Sequence, residues 1–175
     1  MSRMPRCELV LLSVVLTASC GASQSFRERV YDDGTVRYRV GALEGGFERV
    51  EVGDNDLAWH DTTFGTVSVN STCEQYEDVP ARALMNQLMM GTTQRSYLVD
   101  ETVTLDGRAA QHVIADLELD GVPVRINVYL VVKDGCVYDL THVAERARAE
   151  SAQPVFERFV NGFAVLGAHV GRARD

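Results

Sequence analysis

Positive charge is what this sequence lacks most. Its 175 residues carry 17 Lys and Arg against 25 Asp and Glu, a formal net charge of −8, and the basic residues are mostly isolated arginines. A phosphate-backbone binder needs a concentrated Lys/Arg face, so nucleic acid is not among the expected partners. Long apolar runs are also scarce. The one near the front, Leu9 to Leu16, falls well short of the roughly 20 residues that a membrane-spanning helix needs, and no later stretch approaches it. Catalytic signatures are missing too: the chain holds no His-Glu-x-x-His, no Gly-x-Ser-x-Gly, no Ser-x-x-Lys, no phosphate loop and no Cys-x-x-Cys. Neither an internal repeat nor a low-complexity run interrupts it.

What is present is ordinary globular material. Hydrophobic residues make up 46% and charged residues 24%, a balance suited to one domain with a real core.

The first segment has the three parts of an export signal. Arg3 and Arg6 form a positive start, Leu9 to Leu16 an apolar middle, and small residues follow. Leu16-Thr17-Ala18-Ser19-Cys20 resembles the lipobox of bacterial lipoproteins, with Thr17 at the place where leucine is more usual. The resemblance implies that residues 1–19 are removed and that Cys20 becomes the acylated first residue. Two or more acyl chains hold a protein on a membrane stably, where one is marginal. Gly21 follows Cys20, not the aspartate that resembles an inner-membrane retention signal in enterobacterial lipoproteins, which favours the outer membrane. The other reading is an ordinary secretory signal cut after Ala18 or Ala22. Loss of Arg3, Arg6 and Glu8 leaves 24 acidic and 15 basic residues, a net charge of −9. Residues 20–30 read as a lipidated start and polar tether, 31–166 as the domain and 167–175 as a tail.

The cysteines sort by position. Cys7 lies in the removed segment and Cys20 carries lipid, which leaves Cys73 and Cys136 as an even pair in an oxidising compartment. A bridge between them closes about 60 residues and is worth roughly 4 kcal/mol in the chain-entropy model. A redox or metal-binding role for the pair would want a close cysteine spacing or a nearby histidine.

From Tyr31 the chain reads as strands. Val36, Tyr38 and Val40 alternate with polar residues, "GGFERVEVG" gives another short strand, and Leu57 to Ser71 reads as a hairpin. Pro80 precedes a helix whose Leu84, Met85, Leu88 and Met89 form a stripe ended by Gly91. Those methionines read as gap-filling core in preference to a copper site. Then Tyr97–Leu105, Ala109–Leu119, Val122–Val132 and Val137–Val143 are four successive strands. They are separated by Asp106-Gly107, Asp120-Gly121 and Asp134-Gly135, the strongest short-range hairpin signal. Val122, Val124, Ile126, Val128, Leu130 and Val132 share one face, with Arg125, Asn127 and Tyr129 on the other. After a linker "ERARAESAQ", Val155, Phe156, Phe159, Val160 and Phe163 make a closing helix from Pro154. The expected fold is α+β: a curved antiparallel sheet of about six to eight strands, ending in a meander and packed by two principal helices. In element order, residues 36–165 resemble the photosystem PsbP-like α/β/α sandwich, a fold that hosts noncatalytic accessory proteins and transfers no function by itself.

No constellation of chemistry stands out. His60, His112, His142 and His169 read as satisfied or exposed side chains, with His142-x-x-Glu145 the nearest approach to a ligand fragment. Gly53-Asp54-Asn55-Asp56 reads as a polar turn because the calcium-loop pattern then fails. Tyr138 and Asp139 flank the proposed bridge on adjacent strand positions, to line a pocket or to face core and solvent. No metal or cofactor is expected. The leading expectation is a noncatalytic, membrane-anchored envelope lipoprotein, an accessory subunit or binding module with a protein partner. A periplasmic carrier with an apolar cavity comes second and a hydrolase third. A solid core with a bare surface patch would favour the first, a buried cavity the second, and a cleft with converging His and Asp the third.

Overall fold

A computed structural model of the chain describes residues 24–53, 55–73 and 79–168. The signal segment, Cys7, Cys20 and His169 lie outside the described residues.

Eleven strands and two helices are described. In order they are β1 (Ser25–Arg27), β2 (Val30–Asp32), β3 (Val36–Arg39), β4 (Glu48–Val50), β5 (Leu57–Asp61), β6 (Gly65–Cys73) and α1 (Ala81–Leu88). There follow β7 (Thr93–Leu105), β8 (Arg108–Leu119), β9 (Val122–Lys133), β10 (Cys136–Glu145), α2 (Arg146–Asn161) and β11 (Ala164–Ala168). The strands form two sheets, ordered β1-β2-β3-β11 and β4-β5-β6-β10-β9-β8-β7, and every pairing is antiparallel. The α+β class and the terminal meander are as expected from the sequence. Two corrections concern its ends. Residues 25–27 and 30–32, read largely as tether, are strands, and residues 164–168 return as β11 to pair with β3.

The meander follows from its turns. Asp106-Gly107, Asp120-Gly121 and Asp134-Gly135 all have positive φ at both residues. That backbone matches the twist of the flanking strands in a two-residue hairpin, and Asp-Gly tolerates it.

Alternation along β9 splits the larger sheet into two chemically different faces. On the inner face, Val131, Tyr138 and Leu140 pack with Tyr38, Phe156 and Phe159 beneath the smaller sheet and α2. On the outer face, Val113, Ala115, Leu117, Val124, Ile126 and Val128 pack against Leu84 and Met85 of α1 and Met89 at its C-cap. The methionines at 85 and 89 are core residues.

The second helix starts earlier than its sequence signal. The stretch read as a linker from Glu145 is its first half, and Pro154 lies inside it. The stripe explains this: buried Ala149 and Ala152 extend the line of Phe156, Phe159 and Val160 backwards at helical spacing. Packing of that stripe outweighs the backbone hydrogen bond that Pro154 removes. The helix then runs against the end of β3. A Cβ on Gly41 would collide with the backbone of Arg158 and Phe159, and one on Gly162 with Gly41 itself.

Candidate functional site

The outer face is only half covered. With eight residues, α1 is about 12 Å long and lies over β8 and β9, leaving the outward residues of β6 and β10 beside it. A groove of about 180 Å³ runs along that boundary. Leu84, Gln87 and Leu88 of α1 form one wall, Leu130 and Val137 the apolar part of the floor, and Asn70, Thr72 and Asp139 its polar part. Asn70 and Asp139 are directly paired across the β6–β10 ladder. The Asp139 carboxyl is pushed up to about 6 by desolvation, with the Asn70 side chain and the Thr141 hydroxyl favouring its ionised form less strongly. Thr141 Oγ1 stands 3.5 Å from Asp139 Oδ1. Of the two residues singled out beside the bridge, Asp139 thus lines a pocket. Tyr138 points inward and is fully buried.

A second surface lies where α1 hands over to β7. Met90, Tyr97, Leu98, Leu119 and Val122 are each between 43% and 68% exposed. Three of the backbone relationships that gather them are read from the ladders: Thr93 pairs with Glu118, Tyr97 with Ala115, and Leu119 with Val122. The strand β7 carries two register shifts here, between Thr93 and Ser96 and between Tyr97 and Val99, so Leu98 sits in a bulge. Isolated apolar side chains on a surface are unremarkable, whereas contiguous apolar patches are the kind that serve interactions. This end is opposite the one where the described chain begins. Gln24 lies with Arg49, Asn55 and Asp56 around a cavity near the start of β5. That is the same end of the sheet as the Cys73–Cys136 pair and the Asp134-Gly135 turn.

Several other polar side chains are tied into the framework. Arg125 makes two hydrogen bonds to Asp116, at 2.7 and 3.1 Å, and holds its carboxyl below the usual range. Arg82 grips Asp100 at 2.9 and 3.0 Å, and Lys133 Nζ reaches Asp106 at 2.6 Å. Backbone N–H groups of Phe64 and Thr63 lower Asp61. Asp56 accepts from Ser71 at 2.6 Å and Tyr38 at 3.1 Å while burial raises its carboxyl. The three described histidines, His60, His112 and His142, do not converge. His112 stacks on Tyr129 and contacts Asn127 and Glu101, His142 contacts the Phe64 carbonyl, and His60 contacts Thr66. Burial pushes His142 down, toward the neutral ring. His112 and Asp116 do share a face of β8, but Arg125 occupies that aspartate. Among the described residues no group of three or more His, Cys, Asp or Glu side chains is placed to hold a metal ion.

The cysteine pair is a disulfide. Cys73 and Cys136 are directly opposed in the β6–β10 ladder with Cα atoms 4.1 Å apart and 63 residues apart in sequence. It belongs to the inner face, where Cys136 is fully buried.

No protein-family model matches the chain, and no curated protein matches it in sequence. Solved structures do resemble it. The cyanobacterial PsbP of Synechocystis sp. PCC 6803 superposes with a TM-score of 0.53 at 12% identity, covering 88% of this chain and 98% of that one. LpqN of Mycobacterium tuberculosis, described as involved in cell envelope biogenesis, gives a TM-score of 0.53 at 9% identity over 82% of this chain and 89% of its own. The chain therefore has a PsbP-like fold, the architecture that its element order suggested.

Proposed function

We propose that this protein is a noncatalytic accessory subunit of a cell-envelope complex, held on the membrane by acyl chains on Cys20 and docking a protein partner through its distal apolar end. The patch of Met90, Tyr97, Leu98, Leu119 and Val122 carries this reading. It lies away from the end where Gln24 enters the fold. Four residue steps separate Cys20 from Gln24, at most about 14 Å of chain, so an acylated Cys20 keeps the Gln24 end near the bilayer and turns the patch outward. The periplasmic face of the outer membrane suits Gly21 after Cys20. The disulfide fits an oxidising compartment, and the description of LpqN is in keeping with an envelope setting. The carrier reading draws no support from the α1 groove, which is small and open where drug-sized or larger ligands need several hundred Å³.

Crosslinking in intact cells followed by recovery of the tagged protein from membranes tests the proposal. A recurrent protein partner is expected. The pair of substitutions Met90→Asp and Leu98→Asp should abolish its recovery while leaving unfolding unchanged, and Cys20→Ala should move the protein into the soluble periplasmic fraction. Recovery of the same partner by the double variant would refute the docking surface. Undiminished membrane association of Cys20→Ala would refute the anchor.

A further inference from the structure

Asp139 is a carboxylate of the framework that lines an open groove without a cation beside it among the described residues. Asp100, Asp106 and Asp116 each face a cation, Arg82, Lys133 and Arg125 respectively. Asp56 has no such cation, yet it accepts two hydroxyl hydrogen bonds. Asp139 likewise faces no cation among the described residues: it accepts from the Asn70 side chain and, at 3.5 Å, from the Thr141 hydroxyl, with the Asp56 carboxylate adding a like charge, and it opens onto the groove beside α1. Leu84, Leu88, Leu130 and Val137 supply the apolar surface of the groove around it, and Asn70, Thr72 and Gln87 the neutral polar remainder. A carboxylate held by neutral donors beside apolar surface still lacks a compensating charge, and a charge-assisted hydrogen bond is stronger than a neutral one. An open groove that brings one anionic group to the foot of an apolar wall fits a ligand of the opposite design, a short alkyl stem that ends in donors.

We propose that the α1 groove binds a primary alkylammonium group, its stem against Leu84 and Leu88 and its N–H groups donating to the Asp139 carboxylate. An ammonium brings three donors and a positive charge on a compact head, and its hydrogen bonds to a carboxylate are charge-assisted. Two sources carry this chemistry, the lysine side chain of a protein and a free diamine. The groove is separate from the distal patch, and its ligand is independent of whether that patch docks a partner.

The test is an NMR titration of the purified full chain with n-butylammonium chloride, using n-butanol as the neutral isostere. Saturable shifts are expected at the amides of Asn70, Leu88 and Asp139, with the ammonium binding about tenfold more tightly than the alcohol, the size of one charge-assisted hydrogen bond. Asp139→Asn should bring the ammonium down to the level of the alcohol. Gln87→Lys, which hangs a cation on the groove's own wall and leaves Asp139 intact, should block the probe. Equal binding of alcohol and ammonium would overturn the site. So would no saturable shift in the groove, or an Asp139→Asn affinity unchanged within about twofold. N-acetyl-lysine amide and putrescine then separate the sources: tighter binding of the first assigns the site to a protein lysine, of the second to a free diamine.

Discussion

The two faces of the large sheet are built from the same strands and solve different problems. The inner face is closed. Tyr31, Tyr38, Tyr138, Phe156 and Phe159 interlock there, Trp59 meets Phe159 edge-on with centroids 5.6 Å apart, and the smaller sheet and α2 cover them. The outer face is closed only under α1, and beyond it the strands present Asn70, Thr72, Asp139 and Thr141. Stability is thus concentrated on one side, which leaves the other free to carry a groove and an apolar end. Energetically the difference lies in packing. An aromatic layer enclosed on both sides loses water and gains dispersion contacts throughout, whereas an eight-residue helix holds its ground only through the stripe it buries.

Truncation on each face measures that contrast, and the largest effect belongs to the inner one. Phe159→Ala should cost about 4 kcal/mol, because the surrounding rings cannot collapse into the space. Met85→Ala, on the buried stripe of α1, should cost about 2 kcal/mol, since a short helix can settle into a smaller gap. Denaturant unfolding of the two variants reads both values. Equal costs would mean that α1 is as firmly packed as α2 and would erase the distinction between the faces.

The disulfide sharpens the comparison next. It staples β6 to β10 on the inner face, so replacing Cys73 and Cys136 together by serine should lower stability by about 3 kcal/mol. The groove should keep its shape, because Asn70 and Asp139 remain paired in the same ladder by backbone hydrogen bonds. Groove resonances that moved as far as those around Tyr138 would show that the outer face depends on the bridge.

Much of the inner architecture was legible in advance because its signals are local. Three Asp-Gly turns dictate the meander, and the alternation of β9 gives both of its faces. The two cysteines of the domain can pair only with each other. What escaped the sequence depends on distant partners. Residues 25–27 and 30–32 are too short and polar to announce strands until β3 pairs with β2 and β2 with β1, and β11 is defined only by its return to β3. The first half of α2 carries small buried residues, Ala149 and Ala152, in place of large apolar ones, and Pro154 imitates a helix start. The site was less legible than the fold. Asp139 could be marked as a pocket candidate beside the bridge, but the groove exists because α1 is too short to cover β6 and β10. Nothing in Met90, Leu98 or Val122 distinguishes an exposed apolar residue from a core one until the ends of three strands are brought together.

The smallest effect separates the faces by charge. In the unfolded chain Asp139 titrates near 3.8, and in the fold it is pushed up to about 6, chiefly by desolvation. Between those values the folded chain binds more proton than the unfolded one, so this group's contribution to stability falls as the pH rises through the interval. Its ionised form is therefore destabilising above about pH 6, and the cost is relieved as the pH drops toward about 4. Asp139→Asn keeps the shape and removes the titration. The variant should be more stable than the parent by about 1 kcal/mol near pH 7.5, a figure reduced because the groove admits solvent, and the difference should vanish near pH 4. Urea unfolding at a series of pH values reads it. A variant no more stable at neutral pH would mean that Asp139 is fully satisfied within the fold. The outer face would then be merely a less buried version of the inner one, without a charge waiting for a partner.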